Sequence, residues 1–364
     1  MLRPFLHTTA RGFSSTGFRP NLVLGLCNPL LDIMAEVPHS FLQKYALRCG
    51  VSIQGSSRHM PIYEELERDF QCEYVAGGAA CNSVRVCQWM LQGKGQCHFA
   101  GCVGDDAHAA IMRQAAAQAG MVAHYQVHPT EGTGVCAALI TDRERTLVTN
   151  MRASGLFDIR FLLAGQLFEV LHSVRMCYIS AFFLFSSPDT VVYVAKHCAE
   201  TNKQFAMNVA SPTVIRSSLH RNMLMALIPY TDYVFGNEEE AVACGEVFRL
   251  ADVSPAGVAK ALSIFPKFNS SRPRVVVFTQ GSDPTIVAVD GKVSFFPVPP
   301  VEPHHLVDTN GAGDSFVGGF LSQVVVGEPL NTAVRAGHYA AACILQRRGC
   351  TLPSTSPELE KFLL

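Results

Sequence analysis

Asp314, in the glycine-bracketed stretch "DTNGAGDSFVGGF" (308–320), is the side chain of this sequence best placed to take a proton beside an anion. Thr309 and Asn310 can cap a helix start. Gly311 and Gly313 let the amides of Gly311, Ala312 and Gly313 turn toward one point, which makes an anion hole at the positive end of a helix. A carboxylate just behind such a hole can accept the proton of an incoming hydroxyl while a phosphoryl group passes through its charged transition state. The plainer reading is an acid in a first helical turn, favoured there by the macrodipole alone. Gly318 and Gly319 further along imply close packing in either case.

Other strand ends carry parts that suit the same chemistry. "FGNEEEA" puts Asn237 and Glu240 one turn apart on a helix start, near where magnesium and phosphate oxygens would lie, or equally makes an N-x-x-E capping box. "VFTQGSD" closes a strand with Thr279, Gln280 and Gly281, suited to backbone contacts with a nucleotide or to a plain turn. "VAGGAACNSVRV" brings Gly77 and Gly78 to a helix start where backbone can approach a ligand closely, with Asn82 able to hydrogen-bond it. "CNPLLDI" supplies Asn28 and Asp32, a short carboxylate-bearing segment able to hold vicinal hydroxyls.

The elements that must hold these residues are those of an α/β protein. "NLVLGLCN", "GQCHFAGCVG", "RMCYIS", "QFAMNVA", "DYVFGN" and "RVVVFTQG" are short apolar runs that predict strands buried on both faces, alternating with helical patterns such as "NSVRVCQWMLQ" and "DDAHAAIMRQAAAQAG". The expectation is a doubly wound, mostly parallel sheet flanked by helices, with ligands at the carboxyl ends of its strands. Residues 35–75 and 131–151 break the alternation and predict a small β-containing lid; 21–34, 76–130 and 152–364 are assigned to the nucleotide-binding core. "IVAVDGKVSFFPV" predicts an edge hairpin with Asp290-Gly291 as a type I′ turn.

Composition narrows the function. With 48% hydrophobic residues, 364 residues suffice for one large domain and a smaller one. The 29 basic and 30 acidic residues nearly cancel, so the broad positive footprint of a nucleic-acid binder is missing. The thirteen cysteines are scattered, without a CxxC pair or zinc spacing, and are expected to be reduced core residues of an intracellular protein. No apolar stretch reaches the roughly 20 residues that would span a membrane. Residues 1–20 carry Arg3, Arg11 and Arg19, many Ser and Thr, and no acid, the first being Asp32. That composition predicts mitochondrial import, with a disordered tail on a cytoplasmic protein as the alternative.

Taken in order, "NPLLDI", "AGG…NS", "CYISAFFL", "FGNEEEA", "FTQGSD", "DTNGAGDSFVGGFL" and "AGHYAAACILQRRGCT" make the chain resemble the ribokinase-like sugar and nucleoside kinases from about residue 21 to 353, most nearly those that phosphorylate adenosine. The resemblance implies ATP as phosphoryl donor, the 5′-hydroxyl of adenosine as acceptor, and Asp314 as the base, with Gly311, Ala312 and Gly313 as its anion hole and Asn310 among the substrate-binding residues. It implies that Asn237 and Glu240 organise Mg2+ largely through water, with a monovalent cation as a further option. Thr279, Gly281 and His338 fall in the implied nucleotide pocket, although a histidine in an Ala-rich helix is ordinarily a satisfied core residue. Arg145 of "RERTL" falls where the family places a lid arginine. On the acceptor side the resemblance puts Asp32, Gly77, Gly78 and Asn82 near the ribose hydroxyls, with Asn28 nearby and Leu30 or Phe183 against the base. A diol wants a carboxylate and a planar purine wants an apolar slot. Small-molecule substrates and a monomer are expected.

Cys27, the "GGAAC" run and Ser52-Ile53-Gln54 depart from the family pattern and bear on base selectivity, so another purine nucleoside is an alternative acceptor. A sugar kinase would use Asp314 in the same way, whereas a non-catalytic nucleoside-binding protein would not need it. A dehydrogenase is disfavoured because the first strand leads into "CNPLLD" and not into a glycine-rich dinucleotide loop.

Overall fold

The computed structural model describes residues 19–142 and 144–358. The import expectation rests mainly on residues 1–18, which lie outside the described residues.

A nine-stranded sheet forms the larger body. Its parallel strands are β1 (Asn21–Leu26), β5 (Gln96–Val103), β6 (Val122–Val127), β9 (Met176–Ser180), β10 (Gln204–Asn208), β11 (Tyr233–Asn237) and β12 (Val275–Gln280), and an antiparallel hairpin of β13 (Asp283–Val289) and β14 (Lys292–Phe296) ends one edge. The order is β14-β13-β12-β11-β10-β9-β1-β5-β6. From β1 the chain first builds outward through β5 and β6, then returns to build the other way from β9. The strand order therefore reverses beside β1, the switch point at which such sheets open a crevice at their carboxyl ends. Val23, Leu24 and Leu26 are fully buried on this central strand, as expected of a parallel sheet covered on both faces. The hairpin turn has Asp290 at φ 48° and Gly291 at φ 74°, the positive pair that a type I′ turn requires.

A second sheet has the order β3 (Ser52–Gln54), β8 (Glu144–Asn150), β7 (Val135–Thr141), β2 (Leu30–Glu36), β4 (Glu73–Gly77). Residues 30–34 and 76–77, assigned by the sequence reading to the core, pair here instead. The segment "LLDIMA" is apolar apart from Asp32 and carries no local sign of which sheet it will join. Its register, Leu31 to Glu36 parallel against Val135 to Ile140 and Leu30 to Met34 antiparallel against Gly77 to Glu73, commits it to the small sheet.

Two glycines decide how helices meet behind the crevice. A Cβ on Gly318 would lie 2.4 Å from the Ser83 carbonyl of the helix Ala79–Leu91, and one on Gly319 would lie 2.4 Å from the Ala336 carbonyl of the helix Leu330–Leu345. Only bare backbone permits both approaches, and the first of them carries Asn82 up to Asp314.

Candidate active site

Asp314 stands in the first turn of the helix Ala312–Val324, whose N-cap is Gly311 in the left-handed region at φ 79°. No side chain caps this helix, so the expected capping by Thr309 or Asn310 does not occur. Asn310 instead gives its backbone amide to Asp308 Oδ1 at 3.0 Å. Ala312 N donates to Thr309 O at 3.3 Å, so the amides left open at the positive end of the helix are those of Gly311 and Gly313. Gly311 is needed for its backbone angle. Around Gly313 an added Cβ would meet nothing within 4 Å, so what Gly313 leaves there is open space for a ligand.

Asn82 Nδ2 donates to Asp314 Oδ2 at 3.0 Å, which fixes the carboxylate and leaves its other oxygen free. The sequence suggests Asn82 for the acceptor's hydroxyls; its Nδ2 goes to Asp314, while its Oδ1 is buried with no partner among the described residues. Asp314 keeps part of its surface open to a cavity of about 140 Å³, but protein crowds its other sides. That loss of water pushes its carboxyl up to about 7 against the opposing pull of the Asn82 hydrogen bond.

Ser180, Asn208, Asn237, Glu240 and Thr279, from the carboxyl ends of β9 to β12 and the helix Glu238–Val247 that follows β11, line the same cavity with Gly313 and Asp314. Asn237 and Glu240 form a full capping box: Glu240 N donates to Asn237 Oδ1 and Asn237 N donates to Glu240 Oε2, both at 2.9 Å. The box does not exclude a second use, because Oε1 of Glu240 remains and burial pushes the carboxyl up to about 7, with Asp314 adding to the effect. Thr279 reaches the cavity, whereas Gly281 serves the β12–β13 turn at φ 58° and is absent from the lining.

Asn28, Leu30, Asp32, Gly77 and Gly78 come together on the lid side. A Cβ on Gly77 would lie 2.7 Å from Asp32 Oδ2, and one on Gly78, at φ 94°, would lie 2.4 Å from the Asn28 carbonyl. Asp32 is buried and accepts no hydrogen bond among the described residues; burial pushes its carboxyl up to about 7, with Arg145 pulling the other way. Asn28 is already committed, since its Nδ2 donates to Ser154 O and Ser186 Oγ at 2.6 Å each. It braces the site and has no amide proton left for a substrate.

Two residues sit elsewhere than expected. Phe183 is 0% exposed and packs on Phe157, while its neighbour Phe182, 39% exposed, lines the cavity. A short 3-10 turn, Ala181–Phe185, swings the two rings apart. His338 is buried, with Nε2 2.8 Å from Thr285 Oγ1, and its ring packs tilted against Phe316, with centroids 5.5 Å apart; burial lowers its pKa to about 4, so it is a neutral, satisfied core histidine one layer behind the cavity wall. Arg145 of β8 does reach the crevice, where Nη2 lies 2.5 Å from Asp308 Oδ2. Sequence reasoning did not single out Asp308, which also accepts the Gly349 amide; nor did it find Ser180 and Asn208, for which the signal was only a polar residue closing an apolar strand.

A family model for the pfkB family carbohydrate kinases matches residues 52–357. The chain belongs to that family. Among curated relatives, it is similar to adenosine kinase 1 of Arabidopsis thaliana, 39% identical over 91% of this chain and 96% of that one, and to adenosine kinase of Dictyostelium discoideum, 38% identical over 92% and 97%. Among solved structures it resembles Anopheles gambiae adenosine kinase in complex with P1,P4-di(adenosine-5) tetraphosphate, with a TM-score of 0.86 and 38% identity over 93% of this chain and all of that one. It also resembles Schistosoma mansoni adenosine kinase in complex with adenosine, with a TM-score of 0.85 and 28% identity over 93% and 98%. The enzyme is a phosphotransferase of the ribokinase-like fold.

Proposed function

We propose that this kinase transfers the terminal phosphoryl group of ATP to the 5′-hydroxyl of adenosine, giving AMP and ADP. The observation that carries the reading is Asp314, held by Asn82 at the floor of a cavity on an uncapped helix end. A base with a carboxyl near 7 can take a hydroxyl proton at neutral pH, and helix-end amides stabilise charge on the group that moves. The identity to adenosine kinases along almost the whole chain supports adenosine as acceptor, and the complex of a relative with a bis-adenosine tetraphosphate supports ATP as donor.

Asp32 suits the ribose diol, because a buried carboxylate with no partner gains two hydroxyl donors. A nucleoside lacking the diol leaves it unpaired. Phe182 and Leu30 offer apolar surface to the base. Mg2+ fits the cavity through Glu240, whose free Oε1 can hold the cation's waters, with Asn237 fixing the carboxylate. When bound, the ion would neutralise phosphate charge. Glu240, Asn237 and Thr279 would orient the donor, Arg145 would close from the lid, and closure would exclude water that would otherwise consume ATP. A monovalent cation is a further part of the proposal.

The test is ADP release with magnesium ATP and adenosine, inosine, guanosine, 2′-deoxyadenosine or ribose. We expect preference for adenosine and a loss of about 10²–10⁴-fold in Asp314→Asn, with nucleotide binding largely kept. An Asp314→Asn enzyme with most of its activity would sink the base assignment. We further propose that residues 1–20 direct mitochondrial import; a reporter carrying them that stays cytoplasmic would refute it. The protein is taken to act as a monomer, which light scattering on the purified enzyme checks.

A further inference from the structure

Ser180 and Asn208 close neighbouring strands, β9 and β10, and are paired directly across them. Both line the cavity that holds Asp314. Ser180 is fully buried, yet its Oγ has no hydrogen-bond partner. A buried hydroxyl left unpaired is costly and calls for an explanation.

Asn208 is half spent. Its Oδ1 accepts the backbone N–H of Ala210 at 2.8 Å, and because an N–H can only donate, the oxygen end of the carboxamide is the one so bound. Nδ2 makes no hydrogen bond among the described residues and belongs to a side chain on the cavity wall. Ala210 stands at φ 78°, in the left-handed region that a residue with a Cβ seldom enters, and it too lines the cavity. A strained turn locked by the very side chain that it aims is the kind of strain that persists where the surrounding structure holds it for a use.

Donor chemistry selects the ligand. Waters on a cation point their hydrogens outward and need acceptors, which Glu240 and Asp314 supply. The Asn208 NH2 group can only donate and needs acceptor oxygens instead, and the Ser180 hydroxyl, which can donate or accept, donates to the same oxygens. We propose that Asn208 Nδ2 and Ser180 Oγ bind the non-bridging oxygens of the phosphoryl group in transfer, from the strand-end wall of the cavity, while the Gly311 and Gly313 amides hold it from the helix side. This rests on reading the cavity as the phosphoryl-transfer site.

Asn208→Asp is the decisive variant. It keeps Oδ1 for Ala210 and exchanges the donor for an acceptor. Calorimetric titration of the full chain, in excess magnesium, with the β,γ-imido analogue of ATP and with ADP separates contacts to the terminal phosphoryl group from contacts to the rest of the nucleotide. We expect Asn208→Asp to weaken the triphosphate analogue about 10-fold or more while ADP changes little, the size of a hydrogen bond to a charged group. Ser180→Ala should move the same ratio in the same direction. The pair Asn208→Ala with Ala210→Gly, which removes the donor and relieves the turn, should melt like the wild type and still lose triphosphate selectivity. Equal losses for both nucleotides, an unchanged ratio, or tighter magnesium-dependent binding in Asn208→Asp would overturn the proposal. A wild-type protein that binds neither nucleotide would instead overturn the phosphoryl-transfer reading itself.

Discussion

Asp32, Glu240 and Asp314 are three carboxyls around one crevice, each pushed up to about 7 by loss of water. A base works only when deprotonated, so kcat/KM should fall as pH drops through about 7, and a pH–rate profile flat down to pH 5 would contradict these environments. Stability runs the other way. A carboxyl whose folded pKa is raised binds more protons folded than unfolded between about 4 and 7, so its contribution is full below that window and lost as pH rises through it. The ligand-free wild type should therefore lose more melting temperature between pH 5 and 8 than Asp314→Asn does. Which residues could share the site was readable from type and spacing, since Asp314, Glu240, Thr279, Asp32 and Gly78 all reach the crevice. Orientation was not. Phe182 and Phe183 are identical in type and adjacent in sequence, and only a 3-10 turn decides which ring is wet.

Between elements, the contact that matters most is the crossing of the helices Ala79–Leu91 and Ala312–Val324 at Gly318. Alanine in a helix interior ordinarily favours the helix by about 0.5–1 kcal/mol over glycine. Here its Cβ would meet a backbone carbonyl at 2.4 Å, and backbone cannot swing away like a side-chain tip. The clash wins: Gly318→Ala should cost about 1–3 kcal/mol in urea unfolding and lower kcat, because parting the helices draws Asn82 from Asp314. Gly318 and Gly319 announced close packing in the sequence; the partner helices were not legible, because nothing local to a glycine says what will approach it.

For the whole molecule, Arg274 links parts of the chain far apart. It is 1% exposed, and its guanidinium donates to the carbonyls of Ile228, Thr231, Leu262, Phe265 and Pro266 at 2.6–3.1 Å. Arg274→Met has nearly the same reach but no donors; Ile228 and Leu262 keep the amides of Thr231 and Phe265 on their carbonyls, but those of Thr231, Phe265 and Pro266 lose their guanidinium partner, so the fold should be destabilised by at least about 3 kcal/mol in chemical denaturation while the KM of the folded fraction stays unchanged. From sequence, an arginine before "VVVFTQ" is an ordinary polar strand start. The amino-acid order by itself determined the alternation of strands and helices, the lid hairpin, the edge turn at Asp290-Gly291 and the set of reactive residues, because periodicity, turn angles and side-chain chemistry are local properties. The tertiary structure alone decided that β2 joins the lid sheet, that Asn82 serves Asp314, that His338 and Asn28 are already satisfied, and that Ser180 and Asn208 keep unspent donors. Pairing, burial and hydrogen-bond satisfaction depend on what arrives from elsewhere in the chain.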